Sequence, residues 1–157
     1  MAEEKDFEEE YKKIKSLLNK GINGKFNQGY IQRQLHEKEN LRKVFLAVIQ
    51  TNPSRISEVY EISLLSKPTC YTQLHQLMSL RIVDRLYVLP IINGTIKNDA
   101  IRKKYEDWTR NMPEGLKRYY LSKTSYWVLT DYGKKFCSIA YDFDQEFRDK
   151  SEEKKDG

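Results

Sequence analysis

Apolar residues recur every three or four positions over most of the chain, a spacing that is typical of amphipathic helices. The first such helix is predicted over residues 3–19. Its apolar face consists of Phe7, Tyr11, Ile14 and Leu18. Glycines and asparagines between residues 21 and 27 interrupt this pattern. A second helical stretch then runs from about residue 30 to residue 50, with a possible joint at Asn40.

Two shorter helices are predicted next, and a brief connection separates them. Asn52-Pro53 ends the preceding helix, because the residue before proline disfavours the α conformation. The first short helix is predicted from Glu58 to about Leu64, with Ser57 as its N-cap. The second is predicted over residues 68–80, because proline suits the first turn of a helix. Its inward-facing residues are predicted to be Cys70, Leu74, Leu77 and Met78.

The pattern becomes β-like after these helices. Residues 82–89 predict one strand, and residues 118–121 together with 126–129 predict its partner. The segment between them predicts a helix over residues 99–112, with Ile101, Tyr105, Trp108 and Met112 on one face.

A last helix is predicted from about Asp131, capped by Thr130. We therefore expect a mostly helical α+β fold. It comprises an N-terminal helix and linker (1–27), a main domain (28–148) and a charged, disordered tail (149–157).

Two segments resemble winged helix-turn-helix regulators of the MarR, PadR and ArsR kind. Residues 68–85, PTCYTQLHQLMSLRIVDR, resemble the recognition helix running into the first wing strand. Residues 126–136, YWVLTDYGKKF, resemble the second wing strand followed by Leu-Thr, two residues and a glycine. The resemblance covers about residues 41–140, although these families commonly have glycine where Arg81 stands. It implies a winged helix-turn-helix with a helical insert in the wing.

The resemblance also implies that helix 68–80 enters the major groove of double-stranded DNA. The implied base-contacting residues are Thr69, Tyr71, Thr72, Gln73 and Gln76. The two glutamines are the best candidates, because glutamine can bind adenine through two hydrogen bonds. The candidate contacts to the DNA backbone are Arg42, Arg55, Lys67, Lys97, Arg102, Lys103, Lys104, Lys117, Arg118 and Lys123. A polar surface helix in a purely structural domain is the alternative interpretation.

The charge distribution favours a polyanionic partner. The first ten residues hold six acids and one lysine, and the last nine hold four acids and three lysines, so a net charge of +5 for the chain becomes +11 for residues 11–148. A basic body attracts nucleic acid by releasing its counterions. The basic insert is accordingly expected to extend the wing along DNA. The alternative is that its aromatic face packs on the core or on a second subunit.

The two end helices have apolar residues to spare, and in the resembled families such helices form a dimer interface. We therefore expect a homodimer through Phe7, Tyr11, Ile14, Leu18, Phe143 and Phe147. An intramolecular hairpin of these two helices is the alternative.

The sequence contains no pattern typical of an enzyme. It has no phosphate-binding glycine loop and no nucleophile elbow, and its two histidines lack partners at ligand spacing. Cys70 and Cys137 are interpreted as packing thiols. We expect no cofactor and no metal, and an intracellular protein without a membrane span. A protein-interaction adaptor, a nuclease and a sensor of a small-molecule effector remain alternatives.

Overall fold

The computed structural model describes residues 9, 10, 12 and 25–156, which form a mostly helical α+β arrangement with one two-stranded antiparallel sheet. Residues 9, 10 and 12 are helical. The predicted apolar face formed by Phe7, Tyr11, Ile14 and Leu18 lies outside the described residues. The elements are α1 (Lys25–Glu37), α2 (Glu39–Thr51), α3 (Ile56–Ser63), α4 (Lys67–Ser79), β1 (Val83–Tyr87), α5 (Val88–Ile92), α6 (Asp99–Thr109), α7 (Glu114–Leu121), β2 (Ser125–Leu129), a 3-10 helix (Gly133–Phe136) and α8 (Cys137–Asp156).

The helices of the first half follow the apolar spacing closely, and their ends differ by a few residues. The long second stretch is two helices, and the joint between α1 and α2 falls at Lys38 rather than at Asn40. The N-cap of α3 is Arg55 rather than Ser57. The Arg55 backbone N–H donates to the Glu58 carboxylate at 3.0 Å, which stabilises this helix start.

Two segments predicted as strand are helical. Val88 and Leu89 open α5, since Pro90 has no N–H to continue a β-ladder and is tolerated in the first turn of a helix. Residues 118–121 end α7, where the Tyr120 ring lies 5.0 Å from the ring of Trp108. Tertiary packing overrides the local β-propensity there. At the C-terminus, α8 continues through residues 151–156 instead of ending before a disordered tail.

Two apolar clusters organise the described residues. The main core is enclosed by α1–α4, α8 and the strand pair, and α2 contributes most of its length to it. A second, smaller cluster holds the insert between the strands. Its buried members are Val88, Ile91, Ile101, Tyr105 and Tyr126. The insert is therefore a packed part of the structure.

The two strands pair from Val83 opposite Leu129 to Tyr87 opposite Ser125. Ser54, between α2 and α3, adds a single bridge to the outer edge of β2. Its N–H donates to the Trp127 carbonyl at 2.8 Å and its carbonyl accepts from the Trp127 N–H at 2.7 Å. This bridge fixes the start of α3 against the sheet. Within the described part of the chain, no helix has both the length and the apolar character to cross a bilayer.

Candidate nucleic-acid interface

Helices α3 and α4 are joined by a turn of three residues, Leu64, Leu65 and Ser66. Leu64 adopts a left-handed conformation with φ of 62°, and its N–H donates to the Tyr60 carbonyl at 2.9 Å. The Ser66 hydroxyl accepts from the Thr69 N–H at 3.4 Å and caps α4. A turn of three residues falls within the lengths that connect the two helices of helix-turn-helix motifs.

Helix α4 has one apolar face and one open face. Cys70, Leu74 and Leu77 are fully buried in the main core. The exposed residues of α4 are Lys67, Pro68, Thr72, His75 and Ser79. The last four of these are spaced by four, three and four positions, so they form one solvent-facing strip along the helix.

The five predicted base-contacting residues divide between this strip and its edges. Thr72 is on the strip, whereas Thr69, Gln73 and Gln76 are half-buried beside it. Gln76 has Thr72 and Ser79 as helical neighbours. Among the described residues, no side chain or backbone group hydrogen-bonds to its side-chain amide.

Tyr71, the fifth of these residues, faces the strand pair. Its ring lies 6.4 Å from that of Trp127, and the Arg85 guanidinium lies 5.9 Å from the Tyr71 ring centroid. His75 and Ser79, which were not predicted to contact DNA, belong to the exposed strip, and the His75 ring also lies 5.6 Å from that of Trp127. Both follow Thr72 at a helical spacing, three and seven positions later, and this spacing could have identified them from the sequence.

Arg42 was predicted to contact phosphate, and the structure contradicts this. The residue is only 2% exposed, and its Nη1 donates to the carbonyls of Leu35 and His36 at 2.9 Å each. Its guanidinium also lies 5.4 Å from the Phe147 ring centroid. Arg42 satisfies the last carbonyls of α1, as a cation near a helix C-terminus does.

Lys104 and Arg102, two further predicted phosphate contacts, are also engaged within the chain. The Lys104 ammonium lies 2.8 Å from the Glu58 carboxylate and donates to the carbonyls of Thr51 and Pro53. It therefore ties α6 to the segment between α2 and α3. The half-buried Arg102 donates to the Ile91 carbonyl at 2.7 Å, near the end of α5.

Other predicted cations of the insert remain accessible. Lys97, Lys103, Arg118 and Lys123 are exposed, and Lys117 is half-buried with its ammonium 3.8 Å from Glu114. These residues lie on α6, on α7 and in the loops that flank them. The insert thus combines a packed apolar side with a basic outer surface.

The insert's aromatic face packs within the chain, which was the alternative interpretation of these residues. Ile101 is fully buried and Tyr105 is 5% exposed in the second cluster. Burial raises the pKa of the Tyr105 hydroxyl, which donates to the Lys117 carbonyl at 3.2 Å. Trp108 is half-buried, with the Arg55 guanidinium 4.4 Å from its ring centroid.

A cleft of about 440 Å³ opens between α3, the start of α4, β1 and the insert. We call it the aromatic cleft. Its cations are Arg55, Lys67, Arg85 and Lys123, and its aromatic residues are Tyr60, Tyr71, Trp108, Tyr119 and Tyr120. None of the described residues lining it is acidic. Arg55, Lys67 and Lys123 were predicted from the sequence as phosphate contacts, whereas Arg85 and the grouping with the aromatic residues were not predicted.

The two predicted dimer residues on α8 differ in their surroundings. Phe143 packs against the main core, with its ring 4.6 Å from that of His36. Phe147 is 45% exposed. Among the described residues, no three potential metal ligands lie close enough together to hold an ion.

Comparisons of the chain with protein-family models, with curated proteins and with solved structures found no match. The exposed strip of α4 and the aromatic cleft are the two surfaces of the described residues that combine polar or cationic groups with accessibility.

Proposed function

We propose that the chain is a winged helix-turn-helix protein that binds double-stranded DNA and regulates transcription. The observation that carries this proposal is the division of α4 into a fully buried apolar face and an open face of hydroxyl, imidazole and amide groups. Helix α4 contains one lysine and no acidic residue, so no negative charge on it would repel DNA phosphates. The sequence resemblance of residues 68–85 supports the same assignment.

A helix of this kind suits the major groove, which admits a single α-helix and presents donors and acceptors on its floor. Thr72, His75 and Ser79 would lie deepest, with Gln76 beside them. Gln76 has a free amide in the described part of the structure and can form two hydrogen bonds to adenine. It is therefore the strongest candidate for base readout.

The antiparallel strands would form the wing, and the insert would broaden it. Exposed cations on the insert, such as Lys103 and Arg118, are suited to neutralise phosphates without reading sequence. The Ser54 bridge and the Lys104–Glu58 ion pair connect this wing to the helix pair. Both parts would therefore approach DNA in a defined relative orientation.

Selection of bound duplexes from a random pool is the direct test. We expect the selected duplexes to converge on one motif, and the purified chain to bind that motif more tightly than scrambled duplex at physiological salt. Absence of any duplex binding at low salt would refute the proposal, because phosphate contacts are strongest there.

Two variants separate base readout from phosphate contact. Gln76→Ala is expected to weaken binding to the selected motif by about 1–3 kcal/mol and to leave scrambled duplex unaffected. Lys103→Ala is expected to weaken both duplexes equally and to reduce the salt slope by about 1. Lys43→Ala is the charge-matched control, since Lys43 lies on α2 in a separate groove beside α8. The division of roles is wrong if the Gln76 and Lys103 variants behave alike on both duplexes.

We further propose that the chain acts as a homodimer. A two-fold axis would place two α4 helices about 34 Å apart, one turn of DNA. The exposed Phe147 ring on α8 supports an interface there. The selected motif should then be a pseudo-palindrome, and light scattering should give twice the chain mass. A monomer mass throughout the micromolar range would exclude the dimer.

A further inference from the structure

The duplex binding proposed for α4 does not require the aromatic residues of the cleft. Helix α4 contributes only Lys67 and Tyr71 to the cleft, and neither belongs to the strip of α4 that would enter the major groove. Five aromatic side chains and four cations converge in one concave site. Cations next to accessible aromatic rings are the combination that binds a nucleotide out of its stack, with phosphate on the cations and base on a ring.

The cations of the cleft carry an excess of positive charge. Arg55 lies 3.8 Å from Glu58, and Lys104 balances the same carboxylate at 2.8 Å. Among the described residues, no carboxylate forms an ion pair with Lys67, Arg85 or Lys123. The Arg85 side chain is held by the Ser125 hydroxyl at 2.8 Å, so its charge is fixed in position without being neutralised.

The aromatic groups are also placed for contact with a base. Tyr119 is 53% exposed at the edge of the cleft, and the Lys123 ammonium lies 3.9 Å from its ring centroid. Tyr120 bridges Tyr119 and Trp108, with ring centroids 5.3 Å and 5.0 Å away respectively. The planes of the Tyr119 and Tyr120 rings are 81° apart, so a planar base can stack on only one of them, and the exposed ring of Tyr119 is the accessible one. Such stacking does not depend on the identity of the base, because every base has a π-face.

We propose that the aromatic cleft binds an unpaired nucleotide of a single-stranded nucleic acid, with its base on the exposed ring of Tyr119 and its phosphates on Lys123, Arg85 and Lys67. This site goes beyond the duplex reading proposed for α4. It would let the chain hold a displaced or unpaired strand. A free nucleotide shares the same chemistry, and the experiment distinguishes the two sources.

The test uses the full chain and a fluorescein-labelled oligothymidylate of about 12 nucleotides, within the range of known single-strand sites. Fluorescence anisotropy at low salt should show saturable binding. Tyr119→Leu and Lys123→Gln should each raise the Kd by roughly 5-fold or more, as expected for losing a stacking or phosphate contact. Matched controls are Tyr141→Leu and Lys43→Gln, which change a similarly exposed tyrosine and a lysine outside the cleft.

Tryptophan fluorescence reports where the strand lies. The chain has two tryptophans, of which Trp127 is 1% exposed and Trp108 lines the cleft. Oligothymidylate should quench the emission of the unmodified chain. Trp108→Phe should abolish most of that quenching while anisotropy still shows binding, because phenylalanine retains a ring in the cleft.

Several results would overturn the inference. These are no oligothymidylate binding at low salt, equal losses in the control variants, or adenosine and thymidine monophosphates binding as tightly as the oligonucleotide. The last result would assign the cleft to a free nucleotide instead. Gln76→Ala should not change oligothymidylate binding, so the cleft and the α4 strip are tested separately. Loss of duplex binding alone would refute only the function proposed for α4.

Discussion

Gly133 sits where a side chain has no room, and this makes its substitution a sensitive probe of how the last helix joins the sheet. A Cβ atom placed on Gly133 would lie 2.1 Å from the Ile82 carbonyl oxygen and 2.9 Å from its carbon. Both obstacles are backbone atoms. They are held there because Thr130 donates to the carbonyls of Ile82, through its N–H at 3.2 Å, and of Arg81, through its hydroxyl at 2.7 Å.

Gly133→Ala is therefore expected to lower the free energy of unfolding by about 3 kcal/mol, the upper end of the range for overpacking. The overlap cannot be relieved by rotating a side chain, so relief must separate the 3-10 helix from the strand start and weaken the Thr130 hydrogen bonds. Urea denaturation followed by far-ultraviolet circular dichroism measures the change.

Gly115→Ala is the matched control, because Gly115 lies in α7 and a Cβ there meets nothing within 4 Å. It should stabilise the chain by about 0.5–1 kcal/mol, since alanine loses less conformational freedom in a helix. A Gly133→Ala variant within about 0.5 kcal/mol of the unmodified chain, no more than an ordinary surface substitution, would refute the reasoning.

Three further substitutions test other parts of the structure by the same measurement. Lys104→Met should cost about 2 kcal/mol, because it leaves the carbonyls of Thr51 and Pro53 without their donor and removes the nearer of the two cations beside the Glu58 carboxylate; Lys103→Met should be nearly neutral, and equal effects would contradict the assignment. Tyr126→Phe should stabilise by about 1 kcal/mol, because the buried Tyr126 hydroxyl has no hydrogen-bond partner among the described residues. Burial raises the pKa of Tyr126 from 10.0 to about 12, so the hydroxyl keeps its proton to a higher pH in the folded chain than in the unfolded chain. The free energy of unfolding is therefore independent of this group below about pH 10 and falls as the pH rises from about 10 toward 12. Tyr126→Phe should flatten that decline, and an unchanged pH profile would argue against this assignment. Arg81→Gly should stabilise by about 1 kcal/mol relative to Arg81→Ala, because φ at Arg81 is 66°; no difference between the two variants would contradict this.

The sequence was sufficient for features that depend on neighbours along the chain. The spacing of Cys70, Leu74 and Leu77 predicted the buried face of α4, and all three are fully buried. Thr130 was predicted as the N-cap of the last helix; its hydroxyl does accept from the Gly133 N–H at 2.9 Å, but the 3-10 helix begins at Gly133 and its N-cap residue is Tyr132.

The other features of the fold and of the candidate site depend on contacts between segments that are distant in the sequence. Residues 118–121 have the composition of a strand, yet they form a helix because Trp108 offers Tyr120 a packing surface. Arg42 and Lys104 look like any surface cation in the sequence, but the carbonyls and carboxylate that hold them come from other helices. The aromatic cleft likewise joins residues from positions 55 to 125. Periodicity reports which side of an element is buried, whereas the partner of a charge or a ring is set only when the chain folds back on itself.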